Sequence, residues 1–141
     1  MNPSKPILYF AHANGFPAAC YPAFFAPLAA RYEVKYLPVL AMNPDYPVTP
    51  TWHLLVDEVI EDIEAQACGS KVVGVGHSFG SLLLLMASYK RPELFEQLVL
   101  MDPPFLMGKK TALLEVAQKF KLSMVDRATP ALLAVKRVAF W

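Results

Sequence analysis

Along the chain, short apolar runs alternate with longer stretches whose apolar residues recur at helical spacing. Residues 7–11, "ILYFA", form a continuous apolar run followed by the loop "HANGFP", the pattern of a strand covered on both faces. Residues 18–32, "AACYPAFFAPLAARY", predict a helix whose start is made irregular by Pro22 and Pro27. "EVKYLPV" (33–39) alternates and predicts a second strand, and the three prolines of residues 40–50 predict a loop. Thr49 is placed to cap the next helix, with Pro50 at its first position. Trp52, Leu55, Val56, Val59 and Ile63 recur on one side of that helix, Asp57, Glu58, Glu61, Asp62 and Glu64 on the other, and Gly69 ends it. "KVVGVG" (71–76) predicts a third strand, "SLLLLMASYKR" (81–91) a buried helix, and "EQLVLMD" (96–102) a fourth strand stopped by Pro103 and Pro104.

Strands that alternate with helices predict an α/β fold, a parallel sheet with helices on both faces. After Gly108 the pattern changes to two helical stretches broken near Thr129 and Pro130, with no further strand. The chain therefore divides into residues 1–107, which form the sheet, and residues 108–141, which are helical. No internal repeat or low-complexity segment interrupts either part.

Composition narrows the classes. At 141 residues, 55% of them hydrophobic, the chain has the size of one domain with a sizeable core. Its longest apolar run, residues 82–87, falls far short of the ~20 residues a membrane span needs. The apolar stretch after Lys5 is broken by His12 and Asn14, which argues against a signal peptide and for the cytoplasm. Cys20 and Cys68 fit no metal-ligand spacing and are expected as reduced thiols in the core; no metal or cofactor is expected. A net charge of +1 argues against a nucleic-acid surface. Residues 103–141 nonetheless carry seven Lys or Arg against two acids, either a solvated helix face or a basic cover over a site for an anionic substrate.

Three of the chain's six glycines fall within "GVGHSFGS", residues 74–81. Gly76-His77-Ser78-Phe79-Gly80 is a G-x-S-x-G motif between a predicted strand and a predicted buried helix, where a nucleophile elbow belongs. In so tight a turn, side chains two residues either side of the serine would collide, and Gly76 and Gly80 remove them. Ser78 is left proud of the sheet's carboxyl edge, where open α/β sheets bind ligands, above a helix N-terminus. A phosphate-binding loop fails on spacing: G-x-G-x-x-G would need glycine where Phe79 stands, and there is no G-x-x-x-x-G-K. The same absence counts against a nicotinamide-dependent dehydrogenase.

With "YFAHANGFPA" after the first strand, "GVGHSFGS", and "LVLMDPP" two elements later, the chain resembles the α/β-hydrolase family from Pro6 to about Gly108. Its tail resembles the start of that family's helical cap. The resemblance implies a serine hydrolase of esterase, thioesterase or lipase type, in which Ser78 attacks a small-molecule acyl substrate. It implies an oxyanion hole made by the Phe79 N–H and an N–H of the His12–Phe16 loop, with Asn14 favoured over Phe16 and His12 holding the loop by side-chain hydrogen bonds. Relatives with an aspartate nucleophile are disfavoured by Ser78. In the family the order is Ser, acid, His. Asp102, at the end of the strand beside the elbow, is a candidate acid; its other reading is to order the Pro103-Pro104 turn or the elbow.

The chain has only three histidines. His77 is expected to pack or hydrogen-bond below the elbow, His12 to hold the oxyanion loop, and His53 to be a partly exposed helix residue. The base histidine is thus expected to be missing, and the chain to be the N-terminal portion of a hydrolase, inactive alone. Self-association through the sheet edge at the strand ending in Asp102 is a further expectation. The alternative is a hydrolase-like module that binds a ligand or partner without turnover.

Overall fold

The structure is a computed structural model that describes residues 5–104. Four parallel strands, β1 (Ile7–Ala11), β2 (Glu33–Tyr36), β3 (Val72–His77) and β4 (Phe95–Met101), lie in the order β2-β1-β3-β4. Helices α1 (Pro22–Leu28), α2 (His53–Ala67) and α3 (Phe79–Lys90) lie on the crossovers. Ala11 stands opposite Gly76, and Gly76 opposite Leu100, so β1, β3 and β4 end level with one another. Among the described residues β4 has a strand neighbour on one side only, and no helix is long and apolar enough to cross a membrane. The division at residue 107 and the helical cap expected from 108 onward lie outside the described residues.

The continuous apolar run of β1 is explained by its two faces. Tyr9 and Ala11 pack against α2 and α3, among Leu55, Val59, Ile63, Leu83 and Leu84. Leu8 and Phe10 point the other way, toward Tyr21, Phe24, Phe25 and Leu28. Val59, Ile63, Leu83 and Leu84 are wholly buried, each contributing about 1.5–3 kcal/mol by leaving water. Phe10 meets the rings of Tyr21, Phe25 and Phe24 at centroid distances of 4.7, 5.1 and 5.5 Å.

Several local expectations are corrected. The first helix is split into a 3-10 turn, Ala18–Cys20, and the seven-residue α1, because Pro22 can open a helix but not continue one. The second strand ends at Tyr36; beyond it the Pro38 carbonyl accepts the Ala18 N–H (3.1 Å), drawing the chain back toward the loop after β1. Thr49 does not cap α2. A turn carries the Trp52 N–H to the Thr49 carbonyl (3.0 Å), and Trp52, at φ 56°, is the residue before the helix. Its ring stands edge-on to Phe79 at 5.1 Å, so packing of the indole overrides the capping preference of a threonine. The left-handed residue that closes α2 is Cys68, followed by Gly69 at φ 87°. The helix after β3 starts at Phe79, two residues earlier than its apolar pattern.

The cysteines are not in the core: Cys20 and Cys68 are free and exposed, one in the 3-10 turn and one at the end of α2. Glu58 reverses its expected place as well. It is buried, and its Oε2 has no hydrogen-bond partner among the described residues. Burial pushes the Glu58 carboxyl above its ordinary range, opposed in part by the Ala41 backbone and the Asn43 side chain. Nearby, Tyr9 donates to Asp62 Oδ2 (2.6 Å), which also accepts from Gln66 Nε2 (2.6 Å). Burial first, and then this carboxylate, push the Tyr9 hydroxyl far upward, so it stays a donor.

Candidate active site

The strand order fixes where a crevice can form. From β1 the chain crosses to β2 on one side; from β3 it crosses to β4 on the other. The loops leaving β1 and β3 therefore part company at the carboxyl edge, the topological switch point at which such sheets bind ligands. The two loops are residues 12–17 and the turn at Ser78.

Ser78 has φ 50° and ψ −115°, a conformation that costs a non-glycine residue on the order of 1–3 kcal/mol and persists only when its surroundings hold it. They do. Its N–H donates to the Met101 carbonyl (2.8 Å), and its own carbonyl accepts the Ser81 N–H (3.0 Å). Ser81 is fully buried, with Oγ 2.7 Å from the Gly76 carbonyl and 3.1 Å from the Met101 carbonyl. A Cβ at Gly76 would stand 2.5 Å from Ser81 Cα and 2.6 Å from Ser81 N, so the strand and helix do touch at this glycine. Gly80 is needed for another neighbour than the sequence suggests. A Cβ there would meet the Ala11 carbonyl carbon at 2.5 Å and the His12 carbonyl oxygen at 2.7 Å. The helix is thus pressed against the end of β1 as well as against β3.

In the loop after β1, the Phe16 N–H donates to the Ala13 carbonyl (3.1 Å) and Gly15 has φ 76°. With positive φ at its third residue alone, Ala13–Phe16 is a type II turn. Phe16's amide is committed to that turn. The Asn14 amide donates to no acceptor among the described residues. Phe79 opens α3, where an N–H has no intrahelical acceptor. Two amides, those of Asn14 and Phe79, are therefore left without acceptors in the loops that flank the switch point.

His12 is buried, with both nitrogens engaged. Nε2 accepts the Leu40 N–H (2.7 Å), so Nδ1 carries the proton and donates to the Ala13 carbonyl (2.8 Å). His77 Nδ1 lies 2.8 Å from the Tyr21 hydroxyl. His53 is exposed at the start of α2, its Nδ1 2.7 Å from Thr51 Oγ1 and 3.2 Å from Thr49 Oγ1. Among the described residues no side chain hydrogen-bonds the Ser78 hydroxyl. Asp102 is exposed, has φ 46°, and follows β4 beside the elbow; no histidine pairs with it among the described residues. No group of three or more His, Cys, Asp or Glu among the described residues could hold a metal.

A sequence model of the alpha/beta hydrolase family matches residues 8–140. The chain belongs to the alpha/beta hydrolase family. No curated protein matches it in sequence. Among solved structures it is similar to a hydrolase from Pseudomonas aeruginosa PA01, with a TM-score of 0.63 and 21% identity over 96% of this chain and 57% of that one. It is similar to a predicted CIB-like hydrolase from Thermoplasma acidophilum, with a TM-score of 0.62 and 16% identity over 78% of this chain and 57% of that one. It is also similar to 2-hydroxy-6-oxo-6-phenylhexa-2,4-dienoate hydrolase from Rhodococcus sp. strain RHA1, with a TM-score of 0.57 and 18% identity over 96% of this chain and 63% of that one. At these identities the likeness is one of fold, and this alpha/beta hydrolase chain spans less than two thirds of each of the three.

Two residues of this alpha/beta hydrolase site carry no signal in the sequence pattern. Ser81 reads as the first residue of an apolar helix, yet its hydroxyl ties that helix to β3 and β4. Tyr21 reads only as one residue of the helix predicted over 18–32, yet its hydroxyl reaches both Ala13 and His77.

Proposed function

We propose that this chain carries the nucleophile and oxyanion hole of a serine hydrolase acting on small esters or thioesters. The observation that carries the reading is Ser78, held at φ 50° at the switch point of the sheet by the bonds of its own N–H and carbonyl to Met101 and Ser81. In the reaction, Ser78 Oγ forms a bond to the acyl carbon as its proton passes to a base. The carbonyl electron pair moves onto oxygen, where the Asn14 and Phe79 amides receive it. Collapse expels the alcohol or thiol with that proton, and water then releases the acyl group by the same steps. Phe16 is not the second donor on this reading, since its amide closes the turn.

The base is the part this reading assigns outside the 141 residues. His12 has no free nitrogen, and among the described residues neither the His53 nor the His77 ring hydrogen-bonds the Ser78 hydroxyl. Asp102 stays the candidate acid. By themselves residues 1–141 should turn over little. A second reading, a hydrolase-like module that binds without turnover, is favoured by the same absence of a base contact to Ser78 among the described residues. The full gene product, assayed with a panel of p-nitrophenyl esters and acyl thioesters, decides between them. Turnover that Ser78→Ala abolishes supports the enzyme; no turnover of any substrate supports the binding module.

A further inference from the structure

We propose that Tyr21 is a positioning residue: its hydroxyl accepts the Ala13 N–H and donates its proton to His77 Nδ1, locking the oxyanion loop to the elbow. This rests on the serine-hydrolase reading of the same site. The two bonds measure 3.2 and 2.8 Å. Tyr21 lies at the start of α1, and its ring is held by Phe10 (4.7 Å) and Phe25 (6.1 Å) and stands 5.8 Å, edge-on, from the His77 ring.

The direction of the second bond follows from the inventory of partners. A tyrosine hydroxyl has one proton and two lone pairs. One lone pair takes the Ala13 N–H. Were His77 Nδ1 also a donor, the tyrosine proton would have no acceptor among the described residues, in a partly buried site where such groups are satisfied. His77 is therefore the Nε2–H tautomer. Ala13 is then fixed at both of its backbone groups. Its N–H goes to Tyr21, and its carbonyl accepts from both His12 Nδ1 and the Phe16 amide. The Asn14 N–H shares a peptide plane with the Ala13 carbonyl, so its direction is set once that carbonyl is pinned. The other end of the bridge is His77, the residue before Ser78. The ring of Tyr21 packs without its hydroxyl; only the hydroxyl touches both loops.

The test uses the full gene product and its best ester from the panel. Ser78→Ala first establishes whether turnover depends on that serine. Tyr21→Phe keeps the ring and should lower kcat roughly 10-fold, with KM changed less than about twofold, because the donor is misplaced in the transition state and not in substrate binding. Adding His77→Phe to Tyr21→Phe should lower kcat no further, whereas independent roles would multiply. Nitrogen-15 NMR of the histidine rings gives a readout free of activity: His77 should carry its proton on Nε2, with an Nδ1 shift that moves in Tyr21→Phe. A wild-type kcat in Tyr21→Phe, multiplying effects, or a proton on His77 Nδ1 would each overturn the proposal. If Ser78→Ala retains turnover, the hydrolase reading fails instead, and the NMR result still decides whether Tyr21 donates to His77.

Discussion

Gly80 lies against the end of β1 so closely that a Cβ added to it would stand 2.5 Å from the carbonyl carbon of Ala11. The obstacle is backbone, with the His12 carbonyl oxygen only 2.7 Å away, so no side-chain rotation can relieve it. Gly80→Ala should therefore destabilise the fold by about 3 kcal/mol, the upper part of the range for overpacking. Thermal or urea denaturation checks this. An unchanged midpoint would mean that α3 and β1 are not in contact as described.

Ser81→Ala should destabilise through a different route. It leaves the packing intact but removes the donor to the Gly76 and Met101 carbonyls, which are 2.7 and 3.1 Å from Oγ. The Met101 carbonyl keeps the Ser78 N–H (2.8 Å), so the loss falls on the Gly76 carbonyl, and leaving a buried acceptor short of a donor costs about 1–3 kcal/mol. Urea midpoints of the two proteins give the number directly. A neutral result would indicate that the elbow is held by its backbone bonds alone.

The strands and the elbow were legible because their causes are local. The apolar run Ile7–Ala11 needs both faces buried, and Gly76 stands before a serine at the spacing a tight turn requires, whereas the need for Gly80 comes from the end of β1. The residues whose places differ from their local pattern depend on which elements meet. Cys20 and Cys68 have core-like chemistry but fall in a 3-10 turn and at a helix end, where they are exposed. Glu58 shares a pattern with exposed acids, yet its side of α2 is covered. The start of α2 follows the Trp52 ring to Phe79 and not the local preference of Thr49. That the Phe16 amide closes a turn on Ala13 while the Asn14 amide does not is likewise set by the folded loop and not by the residue types. Tyr21 and Ser81 act across elements, and no spacing within the sequence could reveal that.

Glu58 makes stability depend on pH in a defined direction. Its folded pKa is raised by burial, while an unfolded glutamate titrates near about 4.3. Its contribution is therefore fully present below that value and lost as pH rises through the folded pKa. Glu58→Gln has no charge to bury. The variant should gain stability relative to the parent as pH rises above about 4.3, read as a widening difference in urea midpoint. A constant difference over that rise would contradict the burial of Glu58.

The assignment of the Asn14 amide can be tested without disturbing its turn. Position 14 is the second residue of a type II turn, where proline is favoured; proline removes the amide proton together with an exposed side chain that makes no hydrogen bond among the described residues. On the proposed mechanism Asn14→Pro should fold normally and lower kcat by about 10²–10³, the loss typical of one oxyanion donor. KM should change little. Retained kcat in a well-folded variant would return the second donor to another amide.

The central claim, that Ser78 is an activated nucleophile, is tested most directly by treating the full gene product with a fluorophosphonate and locating the adduct by mass spectrometry. A serine hydroxyl without activation is almost fully protonated at neutral pH and reacts poorly. The account predicts one adduct per chain, on the peptide that contains Ser78, and none in Ser78→Ala. Equal labelling of the two proteins, or an adduct on a different serine, would contradict it.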